Sequence, residues 1–175
     1  DLRVVANLPY AVSGPLLVEL SVLEPLPAAM AVLVQKELAQ RLAAPPGHRD
    51  RGSLSVLMQC LFEVRLERTV GPGVFRPRPQ VDSAICSLRA DASAPLAAAD
   101  GATRRAAAQL IRGLFQQRRK RVQGVAAAAG AALGIPDAAD RVAAWPESIR
   151  MARPQELAMP DWLRILEEIP SSGAP

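Results

Sequence analysis

Asn7-Leu8-Pro9-Tyr10 follows a short apolar run, Leu2-Arg3-Val4-Val5-Ala6, and precedes a segment with helical spacing from Pro15 to Glu24. Strand, tight turn and helix in that order place the tetrapeptide at the carboxyl end of a buried strand, where open α/β sheets bind their ligands. Its chemistry suits a flat, amino-bearing ring. Asn7 brings a side-chain carbonyl and an amide donor. Leu8 brings a backbone carbonyl, and Pro9 stiffens the turn that aims it, because proline fixes φ and has no N–H. Tyr10 adds a π-face for stacking. Two acceptors and an aromatic plate match the two N–H bonds and the ring of an adenine. An aromatic amine is a weak nucleophile because its lone pair is delocalised. Acceptors set out of the ring plane favour the pyramidal nitrogen that attacks, so alignment with a methyl donor supplies much of the catalysis. A strand exit with a packed tyrosine would look the same over four residues.

Further stretches carry more weight together than the tetrapeptide does alone. In order they are Gln35-Lys36-Glu37 with Arg41, Gly52-Ser53-Leu54-Ser55-Val56, Phe75-Arg76-Pro77-Arg78-Pro79-Gln80-Val81-Asp82-Ser83-Ala84, and Phe115-Gln116-Gln117-Arg118-Arg119-Lys120. With Asn7-Leu8-Pro9-Tyr10 they resemble the rRNA adenine N6,N6-dimethyltransferases of the small-subunit type, from Leu2 to about Leu166. The resemblance implies the C-terminal half of a Rossmann-like class I methyltransferase sheet, an α/β fold, followed by a small all-helical domain. It implies S-adenosyl-L-methionine as donor and two adjacent adenines near the 3′ end of small-subunit rRNA as substrate, in an immature 30S particle. A cytoplasmic monomer is the corresponding expectation. Asn7 and Leu8 would accept from the amine, with Pro9 shaping the turn, and the resemblance implies that Asn7 and Pro9 lie where the donor methyl group approaches. Tyr10 and Phe75 would stack the base, repaying part of its unstacking at about 1–3 kcal/mol per stacked base. A phenylalanine before a proline-rich loop also serves commonly as a core plug. Asp82 and Ser83 are read as ordering that loop.

The family begins with a strand, a glycine-rich turn and an acidic residue that hold the donor. Nothing upstream of Asn7 contains them, so the chain reads as the C-terminal part of a longer enzyme, inactive alone. Three other readings compete. They are the sister enzymes that methylate a large-subunit adenine and confer macrolide resistance, the DNA adenine methyltransferases, and a non-catalytic rRNA-binding assembly factor. DNA enzymes usually carry Pro-Pro-Tyr after Asp or Asn; Leu8 favours RNA.

The net charge of +4 is unevenly placed. Arg104, Arg105, Arg112, Arg118, Arg119, Lys120 and Arg121 fall in a stretch with no acid, and outside it 14 basic residues face 17 acidic ones. A local cationic stripe is the footprint of a phosphate-backbone partner. Arg112, Arg118, Arg119, Lys120 and Arg121 are the expected RNA-binding set. Cys60 and Cys86 sit in apolar surroundings as free thiols, and neither they nor the single histidine, His48, has metal-ligand spacing. No apolar run is long enough to span a bilayer.

Composition and period also divide the chain. Residues 1–90 read as catalytic, 91–102, rich in Ala, Ser, Pro and Asp, as a linker, 103–169 as the helical RNA-binding part, and 170–175 as a disordered tail. Expected strands cover 2–6, 28–34, 61–70 and 81–88, the last two as an antiparallel pair at the sheet edge. Ser13, Ser53 and Thr103 are expected helix caps, and the helix from Thr103 is expected to reach Val122 or beyond. A last helix, 160–169, should bury Trp162, Leu163, Ile165 and Leu166.

Overall fold

The computed structural model describes residues 1–169; the expected disordered tail lies outside them. Four strands form one sheet in the order β1-β2-β4-β3: β1 Arg3–Asn7, β2 Ala29–Gln35, β3 Phe62–Val70 and β4 Ser83–Ala90. β1 runs parallel to β2, with Asn7 opposite Leu33. β4 inserts antiparallel between β2 and β3, so the hairpin partners are neighbours as expected and the later strand is the inner one. A register shift between Leu66 and Arg68 bends β3. Helix α1 (Ser13–Ser21) makes the parallel crossover from β1 to β2; α2 (Lys36–Leu42) and α3 (Ser53–Gln59) follow β2.

The helices cover one face of the sheet. Met30, Val32 and Val34 of β2 and Ala84, Cys86 and Leu88 of β4 are buried on it, packed with Leu17, Leu42 and Leu57. The opposite face is bare. Val5 of β1, expected in a buried strand, is 87% exposed. β1 has a neighbour on one edge only, and nothing among the described residues lies over its outward face.

The remaining helices are α4 (Gly101–Phe115), α5 (Ala126–Ala132), α6 (Ala138–Ala144), α7 (Glu147–Met151) and α8 (Met159–Leu166). They share one apolar core with the sheet, running through Leu96, Leu110, Ile111, Leu114 and Trp162. Residues 91–102 are tied down: Leu96 is buried, and its N–H donates to the Cys60 carbonyl at 2.9 Å.

Several caps differ from expectation. Asp100, not Thr103, caps α4 and accepts the Thr103 N–H at 2.7 Å; a carboxylate is the better partner for exposed first-turn N–H groups. Gly52, not Ser53, precedes α3, and Ser55 Oγ accepts the Gly52 N–H at 2.9 Å while donating to the Arg41 carbonyl. Ser13 is the first residue of α1 and donates to the Pro9 carbonyl at 2.9 Å. Gly134, with φ of +72°, ends the turn after α5. In α8, Trp162, Ile165 and Leu166 are buried but Leu163 is 44% exposed, because it falls on the opposite face of the turn.

α4 ends at Phe115 rather than near Val122. Beyond it, Gln116 to Arg121 offers no apolar spacing, and Arg118 and Arg121, three apart, would repel on a helix. The chain turns there and reaches Val122, whose N–H donates to the Ala152 carbonyl at 2.9 Å.

A buried arginine fixes the start of α4 against the sheet. Arg104 is 3% exposed and donates to the Leu23 carbonyl at 2.6 Å, to the Ala99 carbonyl and to Glu24 at 3.2 Å. The Gly101 N–H donates to the same Glu24 carboxylate. Only glycine fits at 101, because a Cβ there would lie 2.5 Å from the Val22 carbonyl oxygen. Arg104, counted in the cationic stripe, is therefore removed from the surface.

Candidate active site and nucleic-acid interface

Asn7 ends β1 and is exposed; Leu8 is buried, its N–H donated to the Leu33 carbonyl at 3.1 Å. That bond extends the ladder one residue past β1 and fixes the turn to β2. Pro9 adopts φ −58° and ψ 127° and starts a 3-10 turn, Tyr10–Val12, that leads into α1. The Pro9 carbonyl is fully used: it accepts from the Val12 N–H at 3.1 Å and from Ser13 Oγ. The two groups expected to hold an amine are left available. No hydrogen bond among the described residues engages the Asn7 side chain or the Leu8 carbonyl oxygen.

Tyr10 is half-buried. Its hydroxyl pairs at 2.5 Å with Ser83 Oγ, and Ser83 is the wholly buried first residue of β4. The residue before Ser83 anchors the same loop. The Asp82 carbonyl accepts the Lys36 N–H at 3.0 Å, and its carboxylate lies 3.5 Å from Lys36 Nζ. Asp82 and Ser83 thus order the loop, as read from the sequence, through Lys36 on one side and Tyr10 on the other. Sequence spacing alone does not pair positions 73 residues apart; the signal was their common membership of the stretches that resemble the family.

Phe75 follows the 3-10 turn Pro72–Val74 in an extended conformation and is half-exposed, not a core plug. It does not pack on Tyr10. Among the described residues the stacked ring pair is Phe115 with Trp162, 6.2 Å between centroids, which seats the end of α4 on α8.

Arg112, Arg118, Arg119, Lys120 and Arg121 are all exposed, and none forms an ion pair among the described residues. Arg118 donates to the Arg49 carbonyl at 2.7 Å, so the cluster stands beside the loop that joins α2 and α3. Arg112 is in the last turn of α4, where the helix dipole favours a cation. Arg105 differs: it lies 3.4 Å from Glu19 of α1. Cys60 and Cys86 are buried thiols, and burial pushes each up to about 12, which leaves them inert at neutral pH. No cluster of His, Cys, Asp and Glu among the described residues is suited to a metal.

The unengaged acceptors of Asn7 and Leu8 and the ring of Tyr10 are the candidate acceptor side of a site. A donor such as S-adenosylmethionine needs backbone N–H groups from a glycine-rich turn and a carboxylate for its ribose. Beside Asn7 the described residues offer neither: β1 presents Arg3 and Val5 on the bare face.

The family model for ribosomal RNA adenine dimethylase matches residues 1–131. The chain belongs to that family. A ribosomal RNA small subunit methyltransferase A of Marinobacter nauticus is 36% identical over 98% of this chain and 58% of its own length. The protein of the same name from Geobacillus thermodenitrificans is 44% identical over 69% of this chain and 40% of its own. This family member thus spans roughly half the length of the curated relatives it matches. In fold it is similar to a dimethyladenosine transferase of Plasmodium falciparum, with a TM-score of 0.72 and 23% identity over 95% of this chain and 66% of the other. A 23S rRNA methyltransferase, ErmE, gives a TM-score of 0.58 at 24% identity, over 95% of this chain and 64% of the other. The family's sheet is the α/β architecture expected from the sequence. Among the described residues no helix is long and apolar enough to cross a membrane.

Proposed function

We propose that this chain is the acceptor-binding and RNA-gripping portion of an S-adenosylmethionine-dependent rRNA adenine N6,N6-dimethyltransferase. Its substrate would be two adjacent adenines near the 3′ end of small-subunit rRNA, in an immature 30S particle in the cytoplasm, with the enzyme acting as a monomer. The observation that carries this reading is the pair of unengaged acceptors at the end of β1, the Asn7 side-chain carbonyl and the Leu8 carbonyl, beside a tyrosine held by its hydroxyl. The names of the relatives support small-subunit over large-subunit rRNA.

In this reading residues 1–90 handle the base and 103–169 handle the RNA backbone, with 91–102 between them. Asn7 and Leu8 accept the two N–H bonds of the adenine amine and turn its lone pair out of conjugation. The Tyr10 face stacks the base, and Phe75 covers its other side once the base separates the two rings. Asn7 and Pro9 border the donor, which supplies an electrophilic methyl group. Other residues would have to complete the donor site. The proton released from nitrogen passes to water, since no base stands beside Asn7. Arg112, Arg118, Arg119, Lys120 and Arg121 hold phosphates.

Asn7→Ala in a full-length version should abolish methylation and leave rRNA binding nearly intact. Methylation that survives the change would remove Asn7 from the chemistry; loss of binding would make it a structural residue.

A further inference from the structure

A second cationic segment lies apart from the cluster that follows α4. Residues 68–81 contain three arginines, Arg68, Arg76 and Arg78, and no acid. Arg76 and Arg78 are exposed and make no hydrogen bond or ion pair among the described residues. They stand between Phe75 and the anchored residues Asp82 and Ser83. Pro77 and Pro79 alternate with them, and each ring fixes its own φ, which limits the freedom lost on binding. The anchorage places them in space. Ser83 is bonded to Tyr10, and from Ser83 back to Arg78 the backbone spans at most about 17 Å. Two unpaired guanidinia on a stiff arm, within reach of a stacking tyrosine, are set for phosphates on either side of a splayed-out base. Contacts of that kind fix register without reading sequence.

We propose that the arm from Phe75 to Asp82 is a second RNA-contacting element, in which Arg76 and Arg78 bind the phosphates that flank the adenine presented to Asn7. This rests on the RNA reading above and adds a site to it.

Binding of this 175-residue chain to a fluorescent RNA hairpin with an adenine-containing single-stranded loop tests the proposal, followed between about 50 and 200 mM salt. Arg76→Ser with Arg78→Ser should weaken binding and lower the slope of log K against log salt by about 1.4, two single-strand phosphate contacts at about 0.7 each. Arg76→Lys with Arg78→Lys keeps the charge and should restore most of that slope. Arg164→Ser, on the exposed face of α8 and paired with Glu167, should leave it unchanged. A slope unaltered in the serine variant overturns the proposal, as does an equal loss in the Arg164 variant. A loss equally large on a plain duplex without a loop also overturns it, since the arm would then not be placed at the splayed base. Failure of the broader reading looks different: the unaltered chain itself would bind neither RNA with any salt dependence.

Discussion

Tyr10 is held from two directions. Its backbone belongs to the turn pinned by the Leu8–Leu33 bond, and its hydroxyl is paired with Ser83. A ring gripped at both ends loses little freedom when a base stacks on it. Removing one partner of a neutral hydrogen bond costs about 0.5–1.5 kcal/mol. Ser83→Ala should therefore lower the unfolding free energy read from urea titration by that much, and move the midpoint down accordingly. The cost should stay at the lower end, because the half-exposed phenol can turn to water. A midpoint that does not move would mean the pair does not form in solution. The tetrapeptide itself was legible in sequence, because each of its four residue types has a distinct chemical use. Ser83 was legible only as part of a stretch that resembles the family, since its buried hydroxyl acts on a residue 73 positions away.

Among the elements, α4 and the turn after it differ most from what periodicity implies. The apolar spacing of Ala107, Leu110, Ile111 and Leu114 was readable and is the buried face of α4. The end of the helix was not, because hydrophobic period stops being informative where six polar residues follow one another. Strand β1 was misread for a related reason. An apolar run signals the capacity to be buried on both faces, and here one of those faces carries no cover. The turn after α4 concentrates four cations at Arg118 to Arg121 with no carboxylate paired to them. Arg118→Glu, Arg119→Glu and Lys120→Glu together should weaken binding to the ribosomal particle and flatten its dependence on salt. A salt slope equal to that of the unaltered protein would take this turn out of the interface.

For the molecule entire, the sheet and the helices share a single apolar core, and Arg104 bolts the first long helix to the loop before β2. The cationic turn and the Asn7 turn are accordingly built on the same core, and in the proposed reading the RNA-gripping residues are tied through it to the base site. The donor side is another matter. With no glycine-rich turn or ribose-binding acid beside Asn7 among the described residues, this chain alone should give no measurable heat with S-adenosylmethionine in titration calorimetry. Micromolar affinity would contradict that account.

The outer rim of β1 has a chemical consequence of its own. Its backbone amides and carbonyls run along the edge away from β2, where no strand stands among the described residues, and Val5 stands out into water next to them. Such a margin is a template on which another extended peptide can zip. In dilute solution this polypeptide should scatter little light. As concentration rises it should self-associate, and a lysine in place of Val5 should suppress that growth; scattering that is indifferent to the change would show that the rim is already protected.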